Sequence, residues 1–191
     1  MASDSISEKV LYSLNEQGHS IDAYGIGTHL VTCQAQPALG GVYKLVQIHG
    51  MPRMKLSASL SKVSIPGLKK VYRLYSKEGY PIFDLMTPYS SPAPEVGERI
   101  LCRSPLDDKL RAYARPSRVE ELHSLVWDGK LVSPLPSLHE SRRRCITQVA
   151  EMREDHRRAT NPTPYKVSVS QELYSFMHEL WDQESLIREI E

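Results

Sequence analysis

Two short stretches near the start of the chain carry residue types suited to holding an anion beside hydroxyl groups. In Ile21-Asp-Ala-Tyr-Gly-Ile-Gly-Thr28, the residues Ile21, Ala23 and Ile26 form a β-prone run. Gly25 and Gly27 then let the backbone turn tightly and approach a ligand where a Cβ would intrude. Thr28 adds a hydroxyl that can join backbone N–H groups around a phosphate. The companion stretch is Met1 to Ser5, in which Ser3 and Asp4 offer a hydroxyl and a carboxylate able to accept from sugar hydroxyls. Converging at element ends, the two stretches would suit a phosphorylated sugar. Each also has an ordinary use. Glycine pairs close many strand-to-loop turns, and an Asp just before a helix serves as a dipole carboxylate or N-cap.

The elements that would position them can be read from punctuation and periodicity. Ser5 to Gln17 reads as a helix, with a capping box at Ser5 and Glu8, an apolar stripe of Ile6, Val10, Leu11 and Leu14, and Gly18 as its stop. Helix, turn, strand and glycine loop make an α/β unit over residues 1–36, whose first strand is expected before Met1. Residues 37–116 read as β-rich. Tyr43–Ile48 with Arg53–Leu56, Val71–Tyr75 with Pro81–Met86, and Glu98–Arg103 with Leu110–Ala114 are three hairpin candidates, and Ser57–Lys70 reads as a loop. They predict a small antiparallel barrel or sandwich appended to something larger. Residues 117–191 read as helical with one strand. Arg118–Val126 is a short helix, and Ser137 with Glu140 caps a helix running to about Arg153. Tyr165–Ser168 is a strand, and a last helix from near Ser170 carries Leu173, Phe176, Met177, Leu180 and Trp181 on one face. The fold class expected is α/β plus α+β.

Composition bounds what such a chain can be. Its 191 residues suffice for one or two small domains, and a formal net charge of +1 gives no global field toward nucleic acid or an anionic membrane. No apolar run approaches the ~20 residues of a bilayer span, and no signal-peptide pattern opens the chain. Cys33, Cys102 and Cys145 lack metal-ligand spacing and are odd in number, so free thiols in a reducing cytosol are expected. Arg142-Arg-Arg144, Arg153 and Arg157-Arg158 could suggest nucleic-acid binding. However, Glu140, Glu151, Glu154 and Asp155 interleave with them, and successive arginines point to different helix faces. A solvated helix with a Glu140–Arg144 surface pair is the expectation.

The blocks Ile21-Asp-Ala-Tyr-Gly-Ile-Gly-Thr-His-Leu-Val-Thr32, Val42-Tyr-Lys-Leu-Val46 and Met54-Lys-Leu-Ser57 resemble nicotinate phosphoribosyltransferases, specifically the C-terminal part of the animal enzymes. So do Gly97-Glu-Arg-Ile-Leu-Cys102, Arg118-Val-Glu-Glu-Leu122, Asp155-His-Arg157 and Asn161-Pro-Thr-Pro-Tyr-Lys-Val-Ser-Val-Ser170, in the same order. The resemblance spans nearly the whole chain. It implies an enzyme that makes nicotinate mononucleotide from nicotinate and phosphoribosyl pyrophosphate, coupled to ATP hydrolysis with Mg2+, in NAD salvage. It further implies a cytosolic homodimer built on an irregular type II phosphoribosyltransferase barrel. Residues 1–36 would be the last α/β unit of that barrel.

By the same resemblance, Gly27 and Thr28 match the loop that holds the 5′-phosphate of phosphoribosyl pyrophosphate, and Ser3 and Asp4 match a strand end that holds the ribose. The family's phosphorylated histidine, its nicotinate-binding arginine and its ring-stacking aromatic fall upstream of Met1. None of the seven histidines here takes that catalytic role by position, and His29 is expected to be structural or solvent-facing. No catalytic residue is therefore assigned, and the chain alone is expected to be inactive. The rival expectation is a non-catalytic fragment that pairs with a longer subunit.

Overall fold

The computed structural model describes residues 1–32, 42–55 and 63–184. The chain forms two compact units, Met1–Tyr43 and Lys44–Glu191. Cys33 and the loop expected at Ser57–Lys70 lie wholly or partly outside the described residues.

The first unit is built on helix α1 (Glu8–Gln17), which starts three residues later than the sequence suggests. Ser7, not Ser5, is the N-cap, accepting from the Val10 amide. The expected Ser5–Glu8 box does not form because Asp4 and Ser5 both take left-handed backbone, with φ of 83° and 49°. That conformation cannot lead a helix, so the start slides to the next serine. Gly18 ends the helix as expected, at φ 74°. The strand expected around Ala23 is reduced to one parallel bridge, Ala2 with Tyr24, formed by the Ala2 amide on Ala23 O (2.9 Å) and the Gly25 amide on Ala2 O (2.8 Å). His19 braces the return from α1: its Nδ1 accepts from the Ile21 amide (3.1 Å), which puts the ring proton on Nε2, 2.9 Å from Asn15 Oδ1. A five-residue helix, α2 (Thr28–Thr32), replaces the expected loop after Gly27.

In the second unit β1 (Gln47–Ile48) and β2 (Met51–Pro52) make a hairpin much shorter than predicted, turned by His49 and Gly50 at φ 49° and 77°. Two left-handed residues in a row are the geometry of the tightest hairpin turn. The remaining strands are β3 (Lys69–Tyr75), β4 (Pro81–Pro88), β5 (Ile100–Arg103), β6 (Arg111–Ala114), β7 (Arg118–Glu121) and β8 (Val167–Ser170). They form one sheet in the order β6-β5-β8-β4-β3-β7. The β3–β4 and β5–β6 hairpins stand where the sequence puts them, the first turned at Gly79 with φ 90°.

Arg118–Val126, expected to be a helix, supplies strand β7 instead. Val119 packs on the core while Arg118, Glu120 and Glu121 pair along the free edge of β3. Pairing with the bare edge of β3 satisfies the backbone of these four residues, which an uncapped helix start would not. The sheet therefore draws strands from both the 37–116 and 117–191 segments. It is also mixed rather than purely antiparallel, because β8 lies parallel to β4.

The sheet is rolled. β6 and β7 occupy its opposite edges, yet only Arg115, Pro116 and Ser117 separate Ala114 from Arg118. Three linking residues reach about 14 Å, whereas the edges of a flat six-stranded sheet stand about 24 Å apart. Pro116 is fully buried in the crossing, and the Ser117 amide bonds Tyr75 O at 2.9 Å. Inside the roll lie Tyr72, Leu74, Leu85, Cys102 and Ala114, with Phe83, Ile100 and Val119 against them. The expected barrel is thus approached, although among the described residues no ladder joins β6 to β7.

Helix α4 (Gln171–Glu184) covers part of the other face. Val169, Leu173 and Tyr174 form a second core with Ile65, Met86 and Phe176, as the expected apolar stripe requires. Helix α3 (Leu138–Glu151) has the predicted Ser137–Glu140 capping box, but its apolar stripe buries nothing. Glu140 Oε2 accepts from the Ser137 amide and hydroxyl, both at 2.7 Å, and the expected pair with Arg144 is not among the ion pairs of the described residues. Those bonds hold the Glu140 carboxyl below its ordinary range.

Tyr75 links the roll to its rim. Its hydroxyl donates to Glu120 Oε2 at 2.5 Å, and the Arg118 guanidinium stacks 3.4 Å from its ring centre. Burial first, and then the bond to Glu120, pushes its pKa from 10.0 up to about 12. The folded chain therefore keeps this proton after the unfolded chain has lost it. Tyr75 contributes stability that is complete below pH 10 and lost as pH rises toward 12. A denaturant-midpoint series should stay level from pH 8 to 9.5 and fall above it, and Tyr75→Phe should flatten that fall.

Candidate functional site

In the first unit, Ser3, Asp4, Gly27 and Thr28 line a single open cleft of about 540 Å3, together with Ser5, Ile6, Gly25 and His29. The two stretches meet there because the Ala2–Tyr24 bridge sets the segment after Ala2 beside the segment after Tyr24. One wall thus turns at Asp4 and Ser5, and the other enters α2 at Thr28.

The local geometry of each wall follows from its residues. Asp4 and Ser5 sit in left-handed backbone, a conformation that Asp tolerates better than most residues and that is over-represented where a chain is held for function. The Ser5 hydroxyl donates to Asp4 Oδ1 at 3.2 Å, steadying the carboxylate at the cleft. On the other wall, the Gly27 carbonyl accepts from the Leu30 and Val31 amides, both at 3.0 Å. The amides that begin α2 have no carbonyl one turn earlier to bond.

The two glycines differ from expectation. Neither has a left-handed backbone. A Cβ on Gly25 would stand 3.3 Å from the Ser3 Cβ, so Gly25 is needed for packing of one wall on the other. A Cβ on Gly27 would meet nothing within 4 Å, so any close approach there must come from outside these walls. His29 is exposed, as expected, and also lines the cleft. Ser5 and Ile6 are lining residues that sequence reading assigned to the first helix. The better-looking capping box at Ser5–Glu8 outweighed plain Ser7, and no sequence signal marks the positive φ.

Asp4 is the one carboxylate among the lining residues. Among the described residues no group of three or more His, Cys, Asp or Glu could hold a metal ion. A magnesium ion here would therefore take at most one carboxylate from these walls, with hydroxyls, phosphate and water supplying its other oxygens. No helix among the described residues is long and apolar enough to cross a membrane.

The rolled mixed sheet flanked by a helix lies in a part of the chain that a known family matches. Residues 68–177 match the family model described as the nicotinate phosphoribosyltransferase C-terminal domain. The whole chain is 53% identical to nicotinate phosphoribosyltransferase 2 of Arabidopsis thaliana and 48% identical to the nicotinate phosphoribosyltransferase of Caenorhabditis elegans, covering 35% and 34% of those proteins. The crystal structure of human nicotinic acid phosphoribosyltransferase superposes with a TM-score of 0.76 at 33% identity, over 94% of this chain and 32% of that one. The chain belongs to the nicotinate phosphoribosyltransferase family. It spans about a third of the length of these relatives.

Proposed function

We propose that this chain forms the sugar-phosphate side of a nicotinate phosphoribosyltransferase, the enzyme that joins nicotinate to phosphoribosyl pyrophosphate on the route to NAD. The observation that carries the reading is the meeting of Ser3, Asp4, Gly27 and Thr28 around one cleft. In it, the Thr28 hydroxyl and the first amides of α2 bind the 5′-phosphate, and Ser3 and Asp4 accept hydrogen bonds from the ribose hydroxyls. Departure of pyrophosphate from C1 builds positive character on the ribose. Holding that sugar at both ends keeps C1 in line with the nicotinate ring nitrogen. Magnesium, when bound, neutralises the leaving pyrophosphate, and Asp4 is the carboxylate on this wall placed to share it. Coupling to ATP, action as a homodimer and a cytosolic site complete the proposal. Residues 1–36 then belong to the last α/β unit of the family barrel.

The reaction centre proper is supplied by other parts of the family's longer chains, so the 191 residues alone are expected to form no mononucleotide from nicotinate, phosphoribosyl pyrophosphate, ATP and Mg2+. The test restores those parts by exchanging this chain for the matching third of the Arabidopsis relative. In that chimera Thr28→Val should raise the KM for phosphoribosyl pyrophosphate by about tenfold to a hundredfold, the effect of one lost hydrogen bond to a charged group. The KM for nicotinate should stay nearly unchanged. Equal changes in both, or none in either, would remove Thr28 from the phosphate site.

A second reading has one observation in its favour. On α3, Leu138 is 82% exposed and Ile146 and Val149 are more than half exposed, an apolar stripe with no cover among the described residues. In that reading the chain is a non-catalytic fragment that assembles with a longer subunit. Co-purification with the longer enzyme, with loss of that enzyme's activity, would establish it.

A further inference from the structure

The rolled sheet opens at one end, among residues that the Ser3–Thr28 cleft does not share. At one end of the roll β4 and β8 begin, β5 finishes and β6 begins. Phe83, Cys102, Ala112 and Ser168 share the inner face at this end. Ala112 is the cross-strand partner of Cys102, Ser168 is that of Leu85, and Phe83 lies two residues from Leu85 on the same strand. These four form part of the lining of a cavity of about 520 Å3. The mouth of a rolled or closed sheet is a common place for a small-molecule site, and the size is ordinary for one.

The character of the cavity is split. Its lining includes the aromatic residues Phe83 and Tyr80, with Cys102 almost fully buried at its floor. Burial pushes the Cys102 thiol up to about 12, so it is a neutral floor atom at physiological pH and not a nucleophile. The rim carries Arg111, Arg153, His156 and Lys166, and no Asp or Glu is among the lining residues. Arg153 is held by Asp155 at 2.8 Å. Among the described residues, Arg111 and Lys166 have no ion-pair partner. His156 donates from Nδ1 to the Thr163 carbonyl at 2.6 Å, which fixes its ring beside the rim. Two uncompensated cations at the edge of a low-dielectric hollow make a local positive potential that a neutral ligand would not use.

We propose that this end of the roll binds a small anion carrying a planar apolar ring, with the chemistry of an aryl phosphate. The ring rests on Phe83 and the Cys102 floor, and the anionic group meets Arg111 and Lys166. The site is independent of the sugar-phosphate cleft, because all its residues belong to the Lys44–Glu191 unit.

The test titrates the 191-residue chain with phenyl phosphate, inorganic phosphate and phenol, following backbone amide shifts by NMR and affinity by calorimetry. Phenyl phosphate should bind at least about tenfold more tightly than either half-molecule, shift the amides of Phe83, Cys102 and Ser168, and weaken as salt is raised. Arg111→Gln with Lys166→Gln should cut its affinity by at least about tenfold while leaving that for phenol unchanged. Both positions are exposed, and an unaltered urea midpoint will show that the variant remains folded. Thr28→Val should leave this binding untouched, which separates it from the other cleft. Equal affinity for phenol and phenyl phosphate, shifts that avoid Phe83 and Ser168, or indifference to the double substitution would each overturn the proposal.

Discussion

Replacing Asp84 with alanine should lower the unfolding free energy by about 3–5 kcal/mol, the usual cost of removing one partner from a buried ion pair. Asp84 on β4 stands directly across the ladder from Arg73 on β3. The pair is bidentate, with Arg73 Nε 2.8 Å from Oδ1 and Nη2 2.9 Å from Oδ2. The Tyr165 hydroxyl donates to the same Oδ1 at 3.0 Å, tying the segment before β8 to the sheet. The two charged side chains are only 21% and 12% exposed. The bond to Asp84 raises the Arg73 pKa further above its usual value, and burial followed by the Asp84 charge lifts the Tyr165 hydroxyl above the tyrosine range. Alanine would leave a guanidinium and a phenol facing each other without an acceptor. Urea unfolding measures the loss, and Arg73→Met with Asp84→Leu should cost clearly less than Asp84→Ala alone. A loss below about 1 kcal/mol would mean that water reaches the pair freely.

That network also marks the limit of what the sequence reveals. Arg73 and Asp84 lie on the two strands of one hairpin and Tyr165 on the segment before β8, and of these the sequence placed the β3–β4 hairpin. Its strands are two β-prone runs close together in the chain, and Gly79 supplies the left-handed residue of the turn between them. β8 was legible as a strand two residues out of place, but its insertion between β4 and β5 depends on partners more than sixty residues away in the chain. Local periodicity carries no such information. Arg118–Glu121 shows the same limit in reverse. Its four residues suit a helix or a strand, and the bare edge of β3 decides. The cleft was legible because its chemistry is local: the hydroxyls, the carboxylate and the glycines are all in the first 28 residues. What escaped was its shape, set by positive φ at Asp4 and Ser5, two residues with no obligatory need for it.

Leu74→Ala should cost about 2–5 kcal/mol, and Leu138→Ala should stay within about 0.5 kcal/mol of the parent. Sequence alone treats the two leucines alike, as apolar members of β3 and α3. The rolled sheet separates them. Leu74 is completely buried, between strands β4 and β7 and under Tyr72, Leu85 and Cys102. Truncating it removes apolar contact and leaves a cavity that paired strands on both sides prevent from collapsing. Leu138 opens α3 with most of its surface in solvent, so truncation there removes almost nothing that folding gained. Urea midpoints of the two variants, taken at one slope, give both values. Near-equal losses would mean that α3 is covered as tightly as the interior of the roll. A loss at Leu74 with none at Leu138 would place the stability of the chain inside the sheet, leaving the α3 stripe free to be covered by another part of the enzyme.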